Sequence, residues 1–179
     1  VFAPADWGPA LHRAVAAAVA EAGGAPYGLE ALDLMRVEKG HVTSRELDGR
    51  ATLEDLGLGG MASSKKDYVG KVLARRPELA REDRPRLVGL KPVEAGARFP
   101  AGAVLCEEGH VSGHGVGWVT SIADSPTLGW IGLGFAKGGL AAWEGRRLVA
   151  ADPARGGGET PVAVVSPHFL DPTGERMRG

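Results

Sequence analysis

The sequence predicts an α+β chain, with helices in the first 83 residues and short strands from residue 84 onward. Three observations carry this reading. Apolar residues recur at helical spacing in two early segments. A charged, proline-bearing stretch, PELAREDRPR, then interrupts the pattern and reads as a linker or domain boundary. After it come six short β-rich runs, LVGLKPV, AGAVLC, GWVTSIA, WIGLGFA, RRLVAAD and PVAVVS, separated by glycine, proline or charged turns. Their spacing predicts an antiparallel barrel or sandwich. The predicted division is residues 1–83 and 84–179.

Val1 to Ala3 is apolar and predicts the end of a strand. Asp6 is a suitable N-cap, and Pro9 is tolerated in a first turn. Trp7, Leu11, Val15 and Val19 recur every four residues and predict a packed helix ended by Gly23-Gly24. A second helix is predicted from Leu29, Leu32 and Met35, which share one face. Asp33 and Arg36 are spaced to pair along it, and Gly40 supplies the left-handed cap. Asp48-Gly49 marks a turn. Ser64, three residues before Asp67, resembles a capping box. With Tyr68, Val69, Val72 and Leu73 behind it, the pattern predicts a third helix that stops near Arg76, before Pro77.

Composition bounds the function. The chain has 179 residues, 44% hydrophobic and 24% charged, with a net charge of −1. That balance gives no electrostatic basis for binding nucleic acid or an anionic membrane. Its 28 glycines fit many tight turns. The alanine-rich segment AVAAAVAEAGGA is too short, and interrupted by Glu21, to span a membrane or serve as a signal peptide. The single cysteine, Cys106, excludes an internal disulfide and fits a reducing cytoplasm. Without a partnered histidine motif it reads as a small buried residue. The first residue is valine, and the chain reads as a piece of something longer.

ALDLMRVEKGH, ATLEDLGLG and KKDYVGKVL, in that order and spacing, resemble the folate-binding aminomethyltransferase family. That family includes the glycine cleavage T-protein and the folate domains of dimethylglycine and sarcosine oxidases. MASSKKDYVG is most similar to the alpha-subunit branch of the heterotetrameric sarcosine oxidases, and GWVTSIADSPTLGWIGLGFAK resembles a C-terminal barrel hairpin of the family. The resemblance implies the C-terminal part of an aminomethyltransferase-type folate-binding domain, followed by an antiparallel β-barrel. It also implies tetrahydrofolate as ligand, with FAD, FMN and NAD in other regions or subunits of the parent enzyme. The remainder of the alpha chain and the other oxidase subunits are the implied partners.

The resemblance also assigns residues. The family's catalytic aspartate and its pteridine-binding glutamate fall upstream, so no catalytic residue is expected in this chain. Leu32 stands where T-proteins carry an arginine, and His41 where they carry a tyrosine; both positions face folate in the family. Leu32 cannot donate a hydrogen bond, whereas His41 can stack on the pterin or bond to it. Arg178 aligns with a basic residue that meets the glutamate tail, and a guanidinium suits a carboxylate. Arg36 and Glu38 match the helix pattern and are expected to form a bracing ion pair near the pocket. His110 and His114 are four apart, but their setting, EEGHVSGHGVG, is too glycine-rich for a helix, and no metal site is expected. The glycine runs 138–139 and 156–158 lack the following helix of a phosphate loop. Trp118 and Trp130 flank the SPTLG turn and are expected in the barrel core. The runner-up reading is a stand-alone aminomethyltransferase, weakened by Leu32. A non-catalytic module that docks subunits is a reading from another class, which exposed tryptophans among Trp7, Trp118, Trp130 and Trp143 would support.

Overall fold

A computed structural model describes residues 2–111, 114–156 and 158–178, without the side chains of residues 155 and 177. By compactness the chain divides into residues 1–33 and 34–179.

In the first unit, a short 3-10 turn, Ala5–Trp7, leads into helix α1, Gly8–Glu21. Phe2 and Ala3 belong to no strand, since no neighbour pairs with them. Asp6 lies inside the 3-10 turn rather than at the cap, and the helix takes Pro9 in its first turn as expected. The helix closes at Ala22, followed by Gly23 with φ of 73°. Helix α2, Leu29–Lys39, begins in this unit and continues into the second.

The second unit is built on six strands: β1 Pro85–Pro92, β2 Val104–Glu107, β3 Gly117–Ser125, β4 Gly129–Lys137, β5 Arg147–Ala151 and β6 Glu159–Val165. Each predicted β-run becomes one strand. All neighbours are antiparallel and the order β1-β4-β3-β2-β5-β6 closes on itself, so the sheet is a barrel and not a sandwich. Closure removes the unpaired edges that a sandwich would leave. A short helix α3, Gly139–Trp143, follows β4.

Alternation along the strands makes two cores. Val88, Leu90, Phe99, Leu105, Val119, Leu148 and Val162 fill the barrel. On its outer face Ile131, Leu133 and Phe135 of β4 pack with Leu87, Val37 of α2, and Leu56. The run WIGLGFA shows how one strand serves both. Ile131, Leu133 and Phe135 point outward, and Gly132 and Gly134 face the interior. A Cβ on Gly132 would lie 2.8 Å from the Phe99 ring, and one on Gly134 would lie 3.0 Å from Leu90. The glycines therefore make the room that these two core side chains occupy.

The β3–β4 connection is the expected SPTLG hairpin. Ser125 pairs with Gly129, whose φ of 69° suits a three-residue loop ending in a left-handed residue. The Ser125 hydroxyl accepts the Thr127 and Leu128 N–H groups at 3.3 and 3.1 Å. One bulge, at Thr120, shifts the β3 register between Val119 and Ser121.

The expected third helix does not form. Residues 64–76 make turns and a single 3-10 turn, Leu73–Arg75. Ser63 rather than Ser64 takes the nearby N–H groups, those of Lys65 and Lys66, at 3.2 and 3.0 Å. Gly70 then adopts φ of 93° in the middle of the run, and Val69 and Val72 remain exposed. Without burial of its apolar stripe, so short a helix lacks a driving force.

Two tryptophan expectations change as well. Trp118 and Trp130 are half-buried outside the barrel interior. Trp118 stacks on Phe135 with ring centroids 5.2 Å apart, and Arg98 lies 4.8 Å from the Trp130 ring. Trp143 is the tryptophan of the interior cluster, and its indole N–H donates to the Lys137 carbonyl at 2.7 Å. Cys106 is buried as expected, and burial pushes its thiol pKa up.

Candidate functional site

The site begins at the C-terminal end of α2. Gly40 has φ of 75° and completes a full C-cap. The His41 N–H donates to the Arg36 carbonyl at 2.8 Å, and the Gly40 N–H to that of Val37 at 3.1 Å, the paired bonds of a Schellman motif. His41 follows directly, exposed, at the start of a polar loop.

Beneath that loop lies a buried polar cluster. The Arg36 guanidinium donates to Glu46 Oε2 at 3.1 Å and to the Ser121 hydroxyl at 2.7 Å. Ser121 in turn donates to Glu46 Oε1 at 2.6 Å. Glu46 Oε2 also accepts the Thr43 N–H at 2.9 Å and its hydroxyl at 3.3 Å. Burial alone would raise the Glu46 pKa. Hydrogen bonds from Ser121, Thr120 and Thr43, together with the Arg36 charge, outweigh it and hold the carboxyl below its usual range. Arg36 thus braces α2 against the barrel, with Glu46 as a carboxylate partner. Glu38, two residues along the helix and so turned to another side, instead accepts from the Ser125 hydroxyl at 2.6 Å. Both contacts join α2 to β3.

The segment after β6 closes on the same helix end. Phe169 and Leu170 N–H groups donate to the Glu38 carbonyl at 3.0 and 2.9 Å. Lys39 Nζ pairs with Asp171 Oδ2 at 2.9 Å. Asp171 Oδ1 accepts the Glu175 N–H at 2.9 Å, and the Arg178 N–H donates to the Glu175 carbonyl at 3.0 Å. Asp171 adopts φ of 48°, an uncommon conformation for a residue with a side chain. It therefore links α2 to the terminal turn that carries Arg178, which is exposed. Leu32 lies on α2 within the first unit and is 46% exposed.

A cleft of about 280 Å³ opens elsewhere, between the loop after Asp48 and the outer face of the barrel. Trp118 and Phe135 form its aromatic wall, and its ionic groups already pair with one another, Arg50 with Asp48 and Arg84 with Asp55. Neither His41 nor Arg178 lines it. The TLEDLG loop is fixed beside it. Thr52 and Asp55 exchange backbone N–H bonds at 2.9 and 3.2 Å, and Arg84 grips Asp55 at 2.6 Å. Burial acts to raise the Asp55 pKa, but Arg84 and Thr52 bring it below the ordinary value.

These two carboxylates set an acid limit. A carboxyl with a depressed folded pKa binds fewer protons folded than unfolded. Glu46 and Asp55 therefore contribute stability above the ordinary carboxylate range, and that stability is lost as pH falls through the depressed folded values. Urea titrations at stepped pH should show the midpoint falling below about pH 4. Asp55→Asn should be less stable at pH 7 and lose less on acidification; an unchanged acid slope would refute the assignment.

His110 sits in an exposed turn with its ring nitrogen near the Glu108 carbonyl, and His114 is also exposed. Among the described residues, no cluster of histidine, cysteine and carboxylates could hold a metal ion. No helix there is long and apolar enough to cross a membrane.

Residues 86–171 match the glycine cleavage T-protein C-terminal barrel domain. The barrel belongs to that family. The chain around the T-protein-type barrel is similar to the sarcosine oxidase subunit alpha of Rhizobium meliloti (strain 1021), 35% identical over 97% of this chain and 18% of that protein. Its counterpart from Corynebacterium sp. (strain P-1) is 40% identical over 64% of the chain and 12% of that protein. An aminomethyltransferase of Streptomyces avermitilis is 40% identical over 70% of the chain and 34% of that protein. The chain thus spans less than a fifth of these oxidase subunits and about a third of the aminomethyltransferase.

Sequence reasoning missed Glu46, Ser121 and Asp171. The first two could have been suspected only from an arginine on the apolar side of a helix, which requires a buried partner. For Asp171 the sequence offers no such signal.

Proposed function

We propose that this chain is the tetrahydrofolate-binding, one-carbon-transfer part of a sarcosine oxidase alpha subunit. The observation that carries the reading is similarity to such a subunit over 97% of the chain. Residues 1–83 would complete a folate-binding domain, and residues 84–179 would form the barrel domain beside it. The reaction of the whole enzyme is the oxidation of sarcosine by dioxygen, giving glycine and hydrogen peroxide, with the methyl carbon delivered to tetrahydrofolate as 5,10-methylenetetrahydrofolate. FAD, FMN and NAD, the catalytic acid and the amine site belong to other regions or subunits, and these residues alone are inactive.

The donor set in this chain suits folate. An exposed imidazole on a braced loop can stack on the pterin or bond to its edge, and an exposed guanidinium can take a glutamate carboxylate through two parallel hydrogen bonds. Tetrahydrofolate supplies the nucleophilic nitrogens that accept the one-carbon unit. This chain's residues bind and orient it: His41 at the pterin, Arg178 at the tail. Leu32 offers apolar surface and no hydrogen bond.

Purification of the intact native protein tests the reading. A flavin spectrum, several subunits and a long parent chain are expected. A colourless protein of one subunit would overturn it in favour of an aminomethyltransferase, the alternative that the Streptomyces relative supports.

A further inference from the structure

We propose that Glu46 is a positioning residue for His41, holding the loop that presents the imidazole to folate; this rests on the folate reading above. The Glu46 side chain is fully buried, Arg36 is 7% exposed and Ser121 is buried completely. The three form a closed ring of hydrogen bonds, with Arg36 bonded to both partners and Ser121 bonded to Glu46. The His41 loop is anchored to this ring at one point, Thr43, and to the helix end at another. His41 itself donates its N–H to the Arg36 carbonyl at 2.8 Å. Two residues on, the Thr43 N–H donates to Glu46 at 2.9 Å. The ring is seated on β3 through Ser121, so it ties the loop to the barrel, alongside Val42, which packs against the outer core.

The choice of residues supports a positional role. A buried ion pair adds little net stability over apolar residues of the same volume, because desolvation offsets the attraction. What it adds is direction: each bond fixes one donor against one acceptor. Here the fixed atoms hold a loop whose histidine is exposed. A site that must hold a planar ligand needs its contact groups placed to within about half an ångström.

The test is a double-mutant cycle in the intact enzyme, with the equilibrium Kd for tetrahydrofolate as readout and thermal unfolding as a check on folding. His41→Ala should weaken binding about tenfold, the scale of one lost ligand contact. Glu46→Gln should weaken it about three- to tenfold with His41 present, and less than about twofold in the His41→Ala background, since coupled residues are not additive. Val162→Ala, in the barrel interior, serves as a destabilised control and should leave Kd unchanged. If Glu46→Gln weakens binding equally in both backgrounds, or not at all, the positioning role is overturned and the His41 contact stands. If His41→Ala leaves Kd unchanged, the His41 part of the folate reading falls and the positioning role falls with it. Should Glu46→Gln fail to assemble, Ser121→Ala takes its place in the cycle, with the same two outcomes.

Discussion

Arg36→Ala should destabilise the protein by about 3–5 kcal/mol at pH 7, the cost of leaving a buried charge without its partner. Glu46 would keep its bonds from Ser121 and Thr43, which soften the loss but supply no positive charge. The substitution also removes the direct Arg36–Ser121 bond and opens a gap between α2 and β3. The ionic part of this penalty has a distinctive pH dependence. Without Arg36 the Glu46 carboxyl loses the smallest of the causes that lower its pKa, while the hydrogen bonds from Ser121, Thr120 and Thr43 remain. Protonation relieves the uncompensated charge, so the gap between Arg36→Ala and the parent should narrow as pH falls from 7 through the ordinary carboxylate range, to about pH 4.

A second comparison separates charge from packing. Replacing both partners, with Arg36→Met and Glu46→Leu together, should recover much of what Arg36→Ala loses, because neither charge is then left buried alone. Urea unfolding of the variants at both pH values makes the measurement. A penalty that stays constant with pH would mean that packing alone accounts for it, and that the ion pair contributes nothing.

The contrast between local and distant signals explains what could be read in advance. Helix α2 and its end at Gly40 were legible because periodicity and capping act within a few residues. The six strands were legible for the same reason, each bounded by its own turn residues, whereas the SPTLG hairpin came from the family resemblance. The choice of barrel over sandwich required knowing that β1 pairs with β6, a contact between segments some seventy residues apart, which no local pattern encodes. The third helix misled because Gly70 takes a left-handed φ of 93° in the middle of its periodic stripe. Exposure of the stripe does not by itself decide, since α1 forms with no buried residue, although its Trp7, Leu11, Val15 and Val19 spacing predicted a packed face. The site divides in the same way. His41 was singled out through the family resemblance, which puts a folate-facing tyrosine at its position, and Arg36 through its match to the family's helix pattern. The partner of Arg36 across the barrel wall, Ser121, is 85 positions away in a strand whose serine looks like any polar residue of an alternating run. Asp171 was hidden further, since its role comes from a backbone conformation and a lysine 132 positions distant.

Gly40→Ala should cost about 3 kcal/mol, the sum of a left-handed conformation and an overpacked contact. Two independent effects combine at this residue. Its φ of 75° is one that a side chain disfavours by roughly 1–2 kcal/mol. A Cβ there would also press on the Pro167 carbonyl and lie 2.8 Å from His168 Nδ1, at a place where the backbone is already committed. Phe169 and Leu170 bond to the Glu38 carbonyl, and His168 Nδ1 lies 3.0 Å from the Lys39 carbonyl, so the crossing segment cannot withdraw without breaking these contacts. Gly145→Ala makes the control. It has φ of 74° but no heavy atom within 4 Å of its added Cβ, so it carries the conformational cost alone. The difference between the two variants in urea unfolding then measures how tightly the segment after β6 is held against α2. A difference of about 1–3 kcal/mol is expected. Equal losses would mean that this segment yields freely, and the link from α2 through Asp171 to the turn bearing Arg178 would no longer be a fixed one. The folate tail would then have to be met by an arginine whose distance from His41 nothing sets, and the proposed pairing of those two residues in one site would fail on geometry before any ligand is added.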